Sequence, residues 1–338
     1  MTDSMHMSPL LTIAIPTFNR GKILVQNVKR LLENTAECFE ILIGDNHSED
    51  DTIELLNSIE DSRLKYFINK TNIGAVKNIN KVLAASNGKY TYLISDEDYI
   101  PEGGLNSILK LIRGGCSYSL ILGTILNAEN GIFYSNVART YKKGSDAISN
   151  LLFTHPYVSG IIYQREVITK FINSKFSEFI YPHEILIGYA LAEGDTIFLD
   201  DKICIRGEVQ ACNIEMVNKR HFTHPFNRIR QFLVKKQYVD DEIENFETQQ
   251  IVLKRLEYQM GIGLSVALVE SSIWVCLRAV KRISRIQDKQ INKSNIYYSS
   301  ICYLFKMAKR KLKVVLFKLS KTRVLKKHAN LYDLKYFP

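Results

Sequence analysis

The chain has little of what marks several common protein classes. Its 338 residues include only 7 prolines and 17 glycines, which excludes a collagen-like or proline-rich chain, and a 46% hydrophobic content excludes wholesale disorder. Six cysteines stand singly, none in a Cys-x-x-Cys pair, so neither a zinc ribbon nor a disulfide scaffold is expected. No Gly-Lys-Ser/Thr phosphate loop occurs, and Gly261-Ile262-Gly263 is too short for a dinucleotide fingerprint. Met1 to Leu10 shows no basic segment followed by an apolar one, so no secretory signal is read there and the cytoplasm is the expected location. Long uncharged apolar runs are also missing. Met260 to Val280 approaches membrane-spanning length but holds Glu270 and Arg278. A charge at the bilayer centre costs about 2.5–3.5 kcal/mol on insertion scales, so this stretch reads as a buried or surface-docked helix.

The charge is distributed unevenly. Of 45 Lys and Arg residues, a dense share falls between Lys281 and Pro338, where the only acids are Asp288 and Asp333, while the body before it is mildly acidic. A charge confined to one terminal block suggests a polyanionic partner surface.

Strand and helix patterns alternate through the first third of the chain. Leu11 to Ile15 is a short β-type run, which Pro16 is expected to stop, and Lys22 to Asn34 shows helical spacing. Phe39 to Ile43 is the next strand, and Ser48, with Asp51 three positions on, resembles a capping box for the helix that carries Ile53, Leu56 and Ile59. Leu64 to Ile68 is a third strand, Ile79, Val82 and Leu83 mark a helix that Gly88 terminates, and Tyr90 to Ile94 is a fourth strand. Repeated β-α-β units imply a mostly parallel α/β sheet with helices on both faces, whose ligands bind beyond the carboxyl ends of the strands. That rule singles out the segments after Ile15, Ile43 and Ile94, and all three are polar.

The sharpest of them is Asp96-Glu97-Asp98. Three successive acids past a buried strand repel one another unless a cation joins them. On an extended backbone Asp96 and Asp98 point the same way, and two such carboxylates suit Mg²⁺ or Mn²⁺ sharing its other positions with phosphate oxygens. The bland alternative is a solvated acidic turn before Pro101.

Together, the motifs Ala14-Ile15-Pro16-Thr17-Phe18-Asn19-Arg20, Gly44-Asp45-Asn46-His47-Ser48-Glu49-Asp50, Asn72-Ile73-Gly74 with Asn78, and Gly88-Lys89-Tyr90 leading into Ser95-Asp96-Glu97-Asp98 resemble the inverting family 2 glycosyltransferases of the GT-A fold. The resemblance is clear over about residues 9–115, weaker to about 210, and absent beyond. It implies that Pro16, Thr17, Asn19 and Arg20 line the nucleoside and phosphate pocket. It also implies that Asp45 and Asn46 face base and ribose, that Lys77 approaches the diphosphate, that Asp96 lies near the ribose, and that Asp96 and Asp98 hold Mn²⁺ or Mg²⁺ with Asp98 the direct ligand. Many relatives carry Asp-Asp at the second motif; Asn46 departs from that form and leaves the base open.

The implied reaction moves a sugar from a nucleotide diphosphate, a UDP-sugar first, to an acceptor hydroxyl with inversion. A base on the far face of the sugar must take the acceptor's proton. In relatives it opens a helix well downstream of the acids, and Glu184 in Tyr181-Pro182-His183-Glu184-Ile185 is the candidate, with His183 its rival. Pro182 suits the first turn of a helix. Glu178 and Asp195 are weaker candidates. Thr154 to Tyr157 and Ser159-Gly160 are expected on the acceptor side, and His221 and His224 could approach metal or diphosphate.

The expected organisation is a catalytic domain over 1–225 and a helical region over 226–338. In the latter, Ile301, Leu304, Phe305, Ala308, Leu312, Val315, Leu316 and Leu319 form one apolar stripe beside basic faces. Such a helix lies on an anionic membrane or packs against the protein or a second copy, giving a homo-oligomer. Nucleic acid is not expected as a partner, since no binding motif appears. The setting this suggests is bacterial capsule or lipopolysaccharide synthesis on a glycan or lipid-linked acceptor, with a peripheral seat on the inner face of the membrane. A non-catalytic nucleotide-sugar or glycan-binding subunit is the alternative.

Overall fold

The computed structural model describes residues 9–36, 38–129, 131–207, 225–270, 283 and 290–300. His221, His224 and the stripe from Ile301 to Leu319 lie outside them, as does Met260 to Val280 beyond residue 270. The chain forms two compact units, Met1–Val217 with Val234–Val252, and Asn218–Leu233 with Leu253–Pro338.

The first unit opens with β1 (Leu11–Thr17), α1 (Gly21–Leu32), β2 (Phe39–Asp45), α2 (Thr52–Asn57), β3 (Leu64–Ile68), α3 (Ala75–Ala85) and β4 (Tyr90–Leu93). It continues through α4 (Gly104–Arg113), β5 (Leu120–Leu126), β6 (Ile132–Tyr134), β7 (Arg139–Tyr141), α5 (Ser145–Leu151), β8 (Ile161–Gln164), α6 (Arg165–Ile172), α7 (Pro182–Glu193) and β9 (Thr196–Ile205). One nine-stranded sheet results, in the order β3-β2-β1-β4-β8-β5-β9-β7, with β6 on β5. The β3-β2-β1-β4 half is parallel, and β8 enters antiparallel between β4 and β5.

The parallel half follows from strands buried on both faces. Leu11, Ile13 and Ile15 share a core with Leu24, Val28 and Leu31 of α1, three positions of one helical face. Each such side chain, fully buried, contributes about 1.5–3 kcal/mol. On the other face α3 lies against β1 and β2. Gly44 permits that approach: a Cβ there would stand 2.0 Å from Val82 Cγ2 and 2.9 Å from Phe67 Cζ.

Two local expectations need correction. Pro16 does not stop β1, which runs to Thr17 in register with Asp45. Pairing with β4 ends at Ala14, so Pro16 sits where the sheet no longer asks it for a donor. Ser48 does not cap α2, which starts at Thr52. Its hydroxyl instead donates to Asp45 Oδ1 at 2.5 Å and accepts the Asn19 N–H at 2.8 Å. Asp50 receives Thr52 N–H at 3.1 Å and the Thr52 hydroxyl, and this Asx turn leads the chain into α2.

In the second unit, Leu253, Leu256 and Met260 are buried on the helix Phe246–Glu270. Buried Glu257 accepts the Asn292 N–H at 2.5 Å and Asn295 Nδ2 at 2.9 Å. No helix among the described residues is long and apolar enough to cross a membrane.

Gly44→Ala is expected to destabilise the first unit by about 1–3 kcal/mol through overpacking. Adding Val82→Ala should return part of that loss, because it removes the methyl group in the way. Thermal unfolding of the two variants checks this, and additive losses would overturn it.

Candidate active site

The strand order brings the ends of β1, β2 and β4 side by side, at the point where the chain's direction of winding across the sheet reverses. There the polar loops meet. Thr17 Oγ1 donates to Asp96 Oδ2 at 2.8 Å, and Asn46 N–H donates to the Thr17 carbonyl at 3.0 Å.

The three acids are not on an extended strand. The Asp98 N–H donates to the Ser95 carbonyl at 3.1 Å, closing a turn that sends Asp96 and Asp98 to different partners. This corrects the premise of alternation behind the sequence reading. Asp96 faces β1: besides Thr17, it takes Arg20 Nη1 at 2.9 Å, and the same nitrogen reaches Glu97 Oε2 at 2.6 Å. The guanidinium is thus a cation between two of the acids. Asp98 faces β8 and the segment after β9. It accepts from Ser159 Oγ at 2.5 Å, Tyr157 Oη at 3.0 Å and Gly207 N–H at 2.9 Å. Ser159 also accepts the Ser95 N–H at 2.8 Å, and Asn27 Nδ2 donates to the carbonyls of Asp96 and Asp98 at 2.8 and 3.1 Å. Gly207 has no room for a side chain, since a Cβ would stand 1.8 Å from the Glu97 carbonyl oxygen.

Burial decides the electrostatics. It pushes the Asp96 carboxyl above the usual range against the pull of Arg20 and Thr17, and does the same to Glu97 against Arg20. Asp98 is pushed up to about 6 by burial, with Ser159, Gly207 and Tyr157 pulling the other way. Among the described residues, each hydrogen-bond partner of Asp98 is a neutral donor. Among the described residues no three His, Cys, Asp or Glu side chains converge as a self-sufficient cation cage. The donor set instead fits an ion held by one or two carboxylates that takes its remaining oxygens from a ligand's phosphates, as Mg²⁺ usually does.

The other predicted residues fall as follows. Asn19 adopts φ 54° and turns its side chain to the backbone, with Oδ1 accepting the Glu49 N–H at 2.7 Å, so it clamps the loops after β1 and β2 together. Pro16 lies inside β1, two positions before Phe18. Asp45 is fully buried, held by Ser48 N–H at 3.0 Å and the Ser48 hydroxyl. Asn46 is buried in a network of carboxamides with Asn69 and Asn72. Lys77 is exposed on the first turns of α3.

Glu184 stands in the first turn of α7, with Pro182 at the helix start as the sequence indicates. The ammonium of Lys235, from the helix Pro225–Glu242, lies 2.8 Å from each Glu184 oxygen. His183 is buried, and burial, with His155 and Lys235 nearby, lowers its imidazole to about 3. His155 is buried too, lowered to about 4 by burial, with Nδ1 on the Tyr157 carbonyl at 2.8 Å and Nε2 without a partner among the described residues. Of the weaker base candidates, Asp195 is tied to Lys142 at 2.7 Å.

Sequence reasoning missed four features here. Arg20 was expected at phosphate, and its pairing with the acids carries no local signature. Tyr157 and Ser159, expected on the acceptor side, grip Asp98. Lys235 lies in a helix with no motif. Arg206 stacks over Phe133 at 4.0 Å and Tyr157 at 4.7 Å, beside the side chains that hold Asp98.

Comparison with known proteins completes the assignment. Residues 12–171 match the family model described as glycosyl transferase family 2. Over 194 residues the chain is 24% identical to a GalNAc(5)-diNAcBac-PP-undecaprenol beta-1,3-glucosyltransferase of Campylobacter jejuni, covering 56% of this chain and 62% of that protein. Over 90 residues it is 32% identical to the Escherichia coli UDP-Glc:alpha-D-GlcNAc-diphosphoundecaprenol beta-1,3-glucosyltransferase WfaP, covering 27% and 36%. The chain thus spans less than two thirds of the length of these relatives. Its fold is similar to that of S. aureus TarS 1–349, crystallised with UDP-GlcNAc, at a TM-score of 0.64 and 15% identity over 87% of this chain and 89% of that one. The acid-bearing turn at the end of β4 and the match over β1 to α6 agree: residues 12–171 form a family 2 glycosyltransferase domain, on a GT-A fold like that of TarS.

Proposed function

We propose that the chain is a metal-dependent, inverting glycosyltransferase that moves a sugar from a UDP-sugar to a hydroxyl of a glycan or lipid-linked acceptor in bacterial surface-polysaccharide synthesis. The observation that carries this is the turn Ser95 to Asp98, which gathers three acids at the crevice where β1 and β4 end, with one of them met, among the described residues, by neutral donors alone. The names of the two bacterial relatives, which specify undecaprenol-linked acceptors and in one case UDP-Glc, support the substrate class. The expected seat is cytoplasmic and peripheral to the membrane.

In this reading Asp98, with Asp96, holds Mn²⁺ or Mg²⁺, and the ion supplies Lewis-acid stabilisation of the departing diphosphate. Thr17 and Arg20 orient Asp96. Ser159, Tyr157 and Gly207 fix Asp98, so its oxygens need not reorganise when a ligand arrives. Asp45 and Asn46 take the nucleoside, with Lys77 approaching the diphosphate. Glu184 accepts the acceptor's proton. Lys235 holds the Glu184 carboxylate in one place, and the acceptor hydroxyl must share it with that ammonium. His183 is enclosed and neutral, which makes it the weaker base.

One observation favours a second reading, a nucleotide-sugar-binding subunit without turnover: Glu184 is already engaged by Lys235. Glu184→Gln separates the two. Under the enzymatic reading it loses about 10²–10⁴ in turnover yet binds donor normally. Release of nucleoside diphosphate across a nucleotide-sugar panel is the measurement, and near-wild-type rates would move the base role elsewhere.

The same assay with Mn²⁺ and with chelator tests the acids. Asp98→Ala should abolish metal-stimulated turnover, and full activity would remove the metal role.

Asp98 also predicts a pH dependence. Its carboxyl lies above the ordinary value in the folded chain, so its contribution to stability is fully present below about 4 and is lost as pH rises through about 6. Without metal, wild type should lose about 3 kcal/mol relative to Asp98→Asn between pH 4 and 7. Parallel denaturation profiles for the two proteins would contradict it.

A further inference from the structure

Arg20 stands at the start of α1, and its two ends are held in different ways. The backbone end is fixed. Its carbonyl accepts the Leu24 N–H at 3.1 Å, the following Gly21 N–H donates to Asp50 Oδ2 at 3.1 Å, and Asn19 before it is tied to Ser48 and Glu49. The other end reaches the acidic turn on a long side chain, with Nη1 2.9 Å from Asp96 Oδ1 and 2.6 Å from Glu97 Oε2.

Exposure tells which partner can leave. The side chains of Asp96 and Glu97 are 5% and 12% exposed, and that of Arg20 is 26% exposed. Asp96 is also anchored from below, by Thr17 on Oδ2 and by Asn27 on its carbonyl. The guanidinium can therefore swing away from a fixed root, whereas the carboxylates cannot follow it. Asp98 has no share in this cation.

One guanidinium against three ionised carboxylates leaves the turn with a net negative charge. Even so, a divalent ion coming to Asp96 or Glu97 meets an oxygen already given to a donor, and a like charge beside it. A nucleoside diphosphate changes both conditions. Its oxygens suit the planar donors of a guanidinium, and they also fill the remaining positions around a hard divalent ion.

We infer that Arg20 is a placeholder cation: its guanidinium holds the Asp96 and Glu97 side of the turn against divalent ions and yields it when diphosphate oxygens take over its donors, so that ion and nucleotide bind as a linked pair. The inference rests on the metal-dependent nucleotide-sugar reading above. Linkage is reciprocal, so UDP strengthens the ion's binding by the same factor as the ion strengthens that of UDP. Direct contact between ion and phosphate supplies part of that factor. The part owed to Arg20 is what disappears when its charge is removed.

The test is titration of the full chain with Mn²⁺ at neutral pH, with and without UDP, reading free Mn²⁺ by electron paramagnetic resonance. Wild type should bind Mn²⁺ weakly alone and about a hundredfold more tightly with UDP, near the top of the usual range for linked sites. Arg20→Met and Arg20→Gln should each tighten Mn²⁺ alone about tenfold, the factor that goes with one charge-assisted hydrogen bond, and shrink the effect of UDP to match. Arg20→Lys keeps a cation and should stay near wild type. Thermal unfolding identifies which neutral variant keeps its fold, and either one suffices. Unchanged affinity for Mn²⁺ alone in a folded neutral variant would leave Arg20 a phosphate ligand only, and weaker affinity would make it a mere support for the acids. Tightening by Arg20→Lys to the same degree would remove charge as the cause. Each of these results overturns the inference, while tight Mn²⁺ binding by wild type with UDP leaves the metal-dependent reading standing. Absence of Mn²⁺ binding in wild type and neutral variants, even with UDP, would instead sink that reading, and the inference with it.

Discussion

A carboxylate taken out of water must be met by donors or by a cation, and the first unit is arranged around that requirement at one turn. Ser95 to Asp98 lies where β4 ends against β1, and its acids are pulled below the surface by the strands that carry them. The surrounding polar contacts answer this. Thr17 comes from the end of β1 and Arg20 from the loop after it, Ser159 and Tyr157 from the segment before β8, and the Gly207 N–H from beyond β9. Elements distant in sequence are drawn to one place because each supplies a proton that a buried oxygen lacks.

The answer is uneven, and the unevenness is informative. Asp96 and Glu97 share a guanidinium, whereas Asp98 receives three neutral donors. Neutral donors orient a carboxylate without cancelling its charge, so Asp98 keeps an unspent attraction for a cation. Burial raises its proton affinity for the same reason. A proton is what such an oxygen pair accepts, and under the proposed function a divalent ion would be held there in its place. The Gly207 position shows how tight the fit is: the backbone comes close enough to donate because there is no side chain to hold it off.

Much of the fold was legible because it rests on local periodicity. The strands Leu11 to Ile15, Phe39 to Ile43, Leu64 to Ile68 and Tyr90 to Ile94 all appear, each within a residue or two of its observed end. The polar strand-end motifs were legible as well, since a parallel sheet gathers them whatever its details. The internal chemistry of the site was not. The acids were read as alternating along a strand, but the turn closed by Asp98 N–H and the Ser95 carbonyl separates them. Ser48 looked like a helix cap, but Asp45 and Asn19 compete for its hydroxyl and win, since both are buried or half-buried beside it. Lys235 against Glu184, and Arg206 over Phe133 and Tyr157, are long-range pairs that no spacing rule encodes.

The use of asparagine beside the acidic turn follows from the same accounting. Asp45 is already a fully buried charge satisfied by Ser48. A second carboxylate at position 46 would set an oxygen against Asn72 Oδ1, and Lys81, the cation of that carboxamide network, reaches Asn69 instead. An isolated buried charge costs far more than a paired amide. Carboxamides donate and accept at once, so the buried side chains of Asn46, Asn69 and Asn78 answer one another without a further charge. The chain therefore keeps its buried carboxylates at Asp45 and at the acidic turn, and lets neutral amides answer one another in the space beyond β2. That division sets charged and neutral polar groups at neighbouring strand ends while keeping the electrostatic demands of one from disturbing the other.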